Sequence, residues 1–125
     1  MGSYRPGHCN IGRRERRRRG IVAGAAFAVA ALIVLAYAGG YLPAPLFAGV
    51  FVFLAVGFEW GLQASTAFCV RLALLNRYDF RGEGGTAGTV SDPGAWQDDR
   101  VQAAKITGAS LLLAAVTTGG LAVVL

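Results

Sequence analysis

Gly20–Phe58 runs for 39 residues without a charged side chain, and Ile106–Leu125 adds another 20. A helix needs about 20 apolar residues to cross a hydrocarbon layer of roughly 30 Å, so the first run has room for two crossings and the second for one. The apolar residues come in blocks and lack the 3.6- or 2-residue period of a soluble domain. The sequence therefore predicts an all-α integral membrane protein with three transmembrane helices, about 21–38, 46–63 and 106–125. The first two form an antiparallel hairpin, because Gly39-Gly40-Tyr41-Leu42-Pro43-Ala44-Pro45 breaks the helix and leaves only a short turn.

Around these spans the chain divides into a basic cytoplasmic tail (1–19), the hairpin with an interfacial helical extension (20–78), a cytoplasmic glycine-rich loop with a short polar helix (79–105), and the third span. The tail, with Pro6 and three glycines, reads as mobile until its arginines meet head groups. Asp92-Pro93 reads as the cap and first turn of the polar helix. Seven arginines precede the first span, five basic residues lie between the second and third, and the Gly39–Pro45 turn has none. The positive-inside rule then puts the segment before the first span in the cytoplasm and Leu125 outside. Ala36-Tyr37-Ala38 after an Arg-rich start also resembles a signal-peptide cleavage site, and the intact mass of the mature protein separates the two readings.

The net charge of +5 sits beside apolar spans, so it marks an insertion signal and a membrane surface; no nucleic-acid partner is expected. Arg13, Arg14, Arg16, Arg17, Arg18 and Arg19 read as topology determinants that bind anionic lipid head groups. Gly20, Gly24 and Ala28 on the first span, and Gly57, Gly61 and Ser65 on the second, are stripes of small residues. Such stripes let helices pack closely in lipid, either with each other or with a second protein. Glu59 is the one acid within a span and has two readings. With Gln63 it is an intramembrane polar site, within reach of Arg19 and Lys105, or it lies at the interface beside Trp60. Gly82–Gly88 resembles a phosphate loop but lacks the Gly-Lys-Ser/Thr ending, so it reads as a linker.

Cys9 and Cys69 are too few and too far apart for a disulfide framework or a CxxC site. With His8 they are candidate thiol or soft-metal ligands on the cytoplasmic face; alternatively Cys69, between Phe68 and Val70, is a small buried hydrophobe.

Asn10-Ile11-Gly12-x2-Glu15-Arg16-x2-Arg19 before an apolar helix, and Leu62-Gln63-Ala64 with Phe68-Cys69 and Leu74-Leu75, resemble the YgaP-like transmembrane domain family of small bacterial inner-membrane proteins. Val70 stands where that family has Pro, and Asn76 where it often has Gly. The third span resembles that of small membrane proteins opening on Cys-Asn-Ile-Gly. The resemblance implies a self-associating helical hairpin in a prokaryotic inner membrane, with Asn10, Gly12, Glu15, Arg16 and Arg19 organising the membrane entry and Gln63 and Cys69 marking the second helix's cytoplasmic end.

With one histidine and no paired carboxylates or nucleotide motif, the sequence points to a non-enzymatic anchoring or assembly component. Its expected partners are anionic lipids and a second copy or another membrane protein, and no cofactor is expected. The alternatives are thiol redox, sulfur or metal handling through Cys9 and Cys69, and an oligomeric transporter or channel subunit using Glu59 and Gln63.

Overall fold

A computed structural model describes residues 4–81 and 84–125. In chain order these form α1 (Arg13–Ala38), a 3-10 turn (Ala44–Ala48), α2 (Gly49–Thr66), α3 (Val70–Leu74), β1 (Arg77–Asp79), β2 (Ala87–Thr89) and α4 (Pro93–Val124). The fold is mostly helical. Among the described residues, three helical stretches are long and apolar enough to cross a membrane: α1, the 3-10 turn with α2, and α4.

α1 buries Arg19, Ala23, Ala26 and Ala30, spaced four, three and four apart, which is one helical face. α4 buries Ala95, Asp99, Ala103, Ile106, Ser110 and Ala114 on the same principle. Ala30, Phe47, Val50, Leu54 and Ala114 form the core between the spans, with Phe27, Val34 and Tyr37 packed around it. A second small core, Phe68, Ala73, Ala103 and Ile106, lies under the polar end of the bundle.

Three of the four stripe glycines lie at the contact of α1 with α2, each facing a residue outside the other helix's stripe. A Cβ at Gly20 would touch Ala64, one at Gly61 would touch Ala23, and one at Gly57 would come within 2.7 Å of the Phe27 ring, so positions rise on α1 as they fall on α2. Gly24 faces open space. Gly57→Val is therefore expected to cost about 1–3 kcal/mol through overpacking, whereas Gly24→Val leaves stability nearly unchanged. Thermal unfolding of the two variants in one detergent checks the contrast.

The polar end differs from the sequence expectation in four respects. Helix α2 does not extend to Tyr78. It stops at Thr66 because Ala67 adopts φ 56, a left-handed cap, and donates its N–H to Gln63 O. Asn76 turns left-handed again at φ 57 after α3, and the chain enters an antiparallel β1–β2 pair, Arg77 opposite Thr89 and Asp79 opposite Ala87. The fold is thus not purely helical, and Ala87 and Gly88 of the presumed linker are strand residues; Gly82 and Glu83 lie outside the described residues. The polar helix and third span are one continuous α4, opened by Asp92 accepting from the Gly94 N–H at 3.1 Å, as its cap was expected to.

The fourth difference is the tail. Residues 4–12 are packed, with Asn10 and Ile11 0% and 1% exposed. Asn10 and Ile11 N–H groups bond to Ala67 O, Asp79 N–H to Asn10 O, and Gly12 N–H to Asp79 O. Residues 10–12, hereafter the strand before α1, therefore lie alongside β1 through the single bridge between Ile11 and Asp79, and Arg13–Arg19 form the first two turns of α1 instead of a tail.

Candidate functional site

The polar residues singled out in the sequence converge where α1, α2 and α4 meet the cap. Arg19 points inward, 9% exposed, while Arg13, Arg14, Arg16, Arg17 and Arg18 stay exposed. Its guanidinium spends its donors on three side chains. Nε reaches Gln63 Oε1 at 3.1 Å, Nη1 reaches Glu15 Oε1 at 2.8 Å, and Nη2 reaches Cys69 Sγ at 2.9 Å. The Trp60 ring lies 5.6 Å from the guanidinium carbon, a cation–π distance. Arg19 was expected at the head groups or reaching towards Glu59; its place on the Ala23–Ala26–Ala30 face turns it into the bundle.

Gln63 relays the contact one turn deeper. Its amide donates to Glu59 Oε2 at 2.8 Å, and Thr107 Oγ1 of α4 lies 3.4 Å from the same oxygen. Arg19 thus reaches Glu59 through Gln63. Lys105 does not take part: it is exposed and lines a cleft whose lining does not include Arg19, Gln63 or Glu59. The result is a chain of polar groups, Glu15–Arg19–Gln63–Glu59–Thr107, running from the end of the bundle to a level between the spans. A fork with fixed donors suits this role, because three acceptors on separate elements are met at once.

Cys69 is 3% exposed, held by a neighbour that the spacing arguments did not use. Asn10 Nδ2 donates to Cys69 O at 3.1 Å, and Cys69 N–H donates to Asn10 Oδ1 at 2.6 Å. This pairing fixes the strand before α1 against the turn after α2. Cys9 lies next to Asn10 and lines the cleft with the exposed His8. Among the described residues no group of three His, Cys, Asp or Glu side chains is arranged to hold a metal ion, so Cys9, Cys69 and His8 do not assemble into one.

Sequence reasoning missed Tyr4 and Asp99. Asp99 is fully buried and takes Tyr4 O–H at 2.6 Å on one oxygen and Gly7 N–H at 2.8 Å on the other. Its spacing from Ala95 and Ala103 was the available signal, since it falls on the inward face of α4. Burial, and then the bond to Asp99, push the Tyr4 phenol well above the ordinary tyrosine range. The folded state thus favours the protonated phenol. Its stabilisation is complete below the ordinary tyrosine pKa of about 10 and declines as pH rises beyond it. Hydrogen exchange of residues 4–9 is expected to speed up above about pH 10 in the native chain. In Tyr4→Phe the alkaline step attributable to this phenol is absent.

No protein-family model, characterised protein or solved structure matches the chain.

Proposed function

We propose that the chain is a three-span protein of a prokaryotic inner membrane, its first two spans an antiparallel hairpin and its cap in the cytoplasm, that acts without catalysis as an anchoring and assembly component. The observation that carries this reading is the fate of the polar groups between the helices. Arg19, Gln63 and Glu59 are bonded to one another and to Glu15 and Thr107, so they tie three helices together and present no acid–base pair to a cavity. The membrane setting rests on the outer surface: Ile21 and Leu32 of α1 and Leu112 and Val116 of α4 are each at least 63% exposed, far more apolar surface than water tolerates on several faces.

Association is supported by α4. Gly108 and Gly119, eleven residues apart and so on one face, meet nothing within 4 Å, which leaves room for a close helix partner. Native mass in detergent tests this. Wild type is expected as an oligomer and Gly108→Leu/Gly119→Leu as a monomer; a strictly monomeric wild type defeats the reading. A reporter fused after Leu125 tests the orientation, and activity in the cytoplasm alone overturns it.

The likeness to the YgaP-like family is consistent with two backbone details. Val70 opens α3 behind an extended Cys69, a first-turn position that proline favours. Asn76 sits at φ 57, where glycine and asparagine are the residues that fit readily.

Thiol chemistry is the second reading, favoured by the Asn10–Cys69 pairing that brings Cys9 within one residue of Cys69's partner. Oxidant treatment of intact membranes decides it. A Cys9–Cys69 crosslink supports the reading, and unchanged labelling of both thiols removes it.

A further inference from the structure

A cleft of about 1110 Å³ opens at the polar end, and its wall is basic. Arg5, Arg13, Arg16 and Lys105 line it together with His8, against a single acid, Asp98. None of these four cations forms an ion pair among the described residues, where the pairs are Arg19–Glu15 and Arg81–Asp79. Lys105 stands immediately before the apolar run of α4, and Arg16 one turn before that of α1. The cleft therefore opens where the apolar spans begin.

Its shape is held independently of any ligand. Residues 5–9 form a hook, with Arg5 and Cys9 paired as a bridge and Gly7 at φ 70. The buried Asp99 clamps the hook to α4 through Gly7 N–H and Tyr4 O–H, and Tyr4 stacks on Tyr78 with ring centres 5.5 Å apart. A fully buried carboxylate committed to fixing a loop that carries Arg5 and His8 gives a preorganised wall. Arg16 is steadied by donating Nε to Ala64 O at 2.9 Å. Four convergent cations in a space of this volume suit a ligand with more than one negative charge, and a phosphate ester meets that requirement.

We propose that this cleft is a binding site for a phosphomonoester, either the head group of a membrane lipid or a soluble phosphorylated compound. The lipid source rests on the membrane reading above; the soluble source does not. Two probes separate them. Native mass spectra of the detergent-solubilised full chain are recorded with phosphatidic acid and with phosphatidylcholine, and calorimetric titration is carried out with inorganic pyrophosphate. Preferential retention of phosphatidic acid identifies a lipid head group, and tight binding of pyrophosphate alone identifies a soluble ligand. In either case Arg13→Gln/Arg16→Gln/Lys105→Gln is expected to weaken binding more than tenfold. Arg71→Gln/Arg77→Gln/Arg100→Gln, which removes the same charge from exposed positions outside the cleft, is expected to stay within twofold. The double variant Arg13→Gln/Lys105→Gln keeps the Arg16–Ala64 bond and is expected to lose at least threefold, which covers a folding failure of the triple. Equal losses in both triple variants, or no preference for either probe over phosphatidylcholine, overturn the proposal. The same spectra report the number of protomers, so a monomer that retains phosphatidic acid defeats the assembly reading and leaves the cleft standing.

Discussion

Arg19→Leu is expected to lower stability by about 3 kcal/mol, because it removes one partner of a buried charged network and strands the others. Gln63 Oε1 and Cys69 Sγ lose their donor and Glu15 loses its cation, while Glu59 keeps both of its partners, Gln63 and Thr107. Thermal unfolding in detergent, followed by the fluorescence of Trp60 beside Arg19, measures it. Arg19→Lys is expected to recover less than half of the loss. A lysine carries its donors on one atom and cannot bridge acceptors on α1, α2 and the turn before α3 together. If Arg19→Leu unfolds within about 0.5 kcal/mol of wild type, the range of an ordinary surface substitution, the network holds nothing together.

Arg19 also marks the limit of what the sequence discloses. In Arg16-Arg17-Arg18-Arg19 the four residues are chemically identical, and the charge pattern treats them alike. Helical phase only narrows the choice: counted back from Ala30, Ala26 and Ala23, positions 16 and 19 fall towards the inward side and 17 and 18 do not, and of the two it is Arg19, one turn further into the bundle, that is buried. The three long apolar helices were legible because absence of charge over 20 residues is a one-dimensional signal, and the Gly39 break and the Asp92–Pro93 cap are local chemistry. Helix α1 ends at Ala38 and α4 begins at Pro93, as those signals imply.

The cap was not legible for the opposite reason. Its decisive features are non-local or run against local preference. An alanine at φ 56 has no sequence signature, since alanine is the best helix former. β1 and β2 are three residues each and are supported by the strand before α1, which no periodicity over so short a span reveals. Glu59 was read as either intramembrane or interfacial. Its bond to Gln63 and its approach to Thr107 give it partners between α2 and α4, a pairing across helices that spacing along one helix does not disclose.

The same logic makes Asn10 the second sensitive position, and it tests the cap alone. Both ends of its amide are committed to the backbone of Cys69, and residue and partner are buried. Asn10→Ala leaves the buried Cys69 N–H without a partner, while Cys69 O keeps the Ala73 N–H, so a loss of about 1–3 kcal/mol is expected. Its effect should be confined. The core around Val50, Leu54 and Ala114 lies between the spans and does not touch the strand before α1, so the bundle should hold while the cap loosens. Hydrogen exchange separates the two levels: amides of Asn10, Cys69 and Asp79 are expected to lose protection by roughly tenfold or more, with those of residues 50–58 unchanged. Cys69 supplies a second readout, since its buried thiol should become reactive towards a membrane-impermeant maleimide as the strand departs. Uniform loss of protection through α2 would mean that cap and bundle unfold as one unit, with the strand before α1 a keystone of the whole protein instead of a clasp on its polar end.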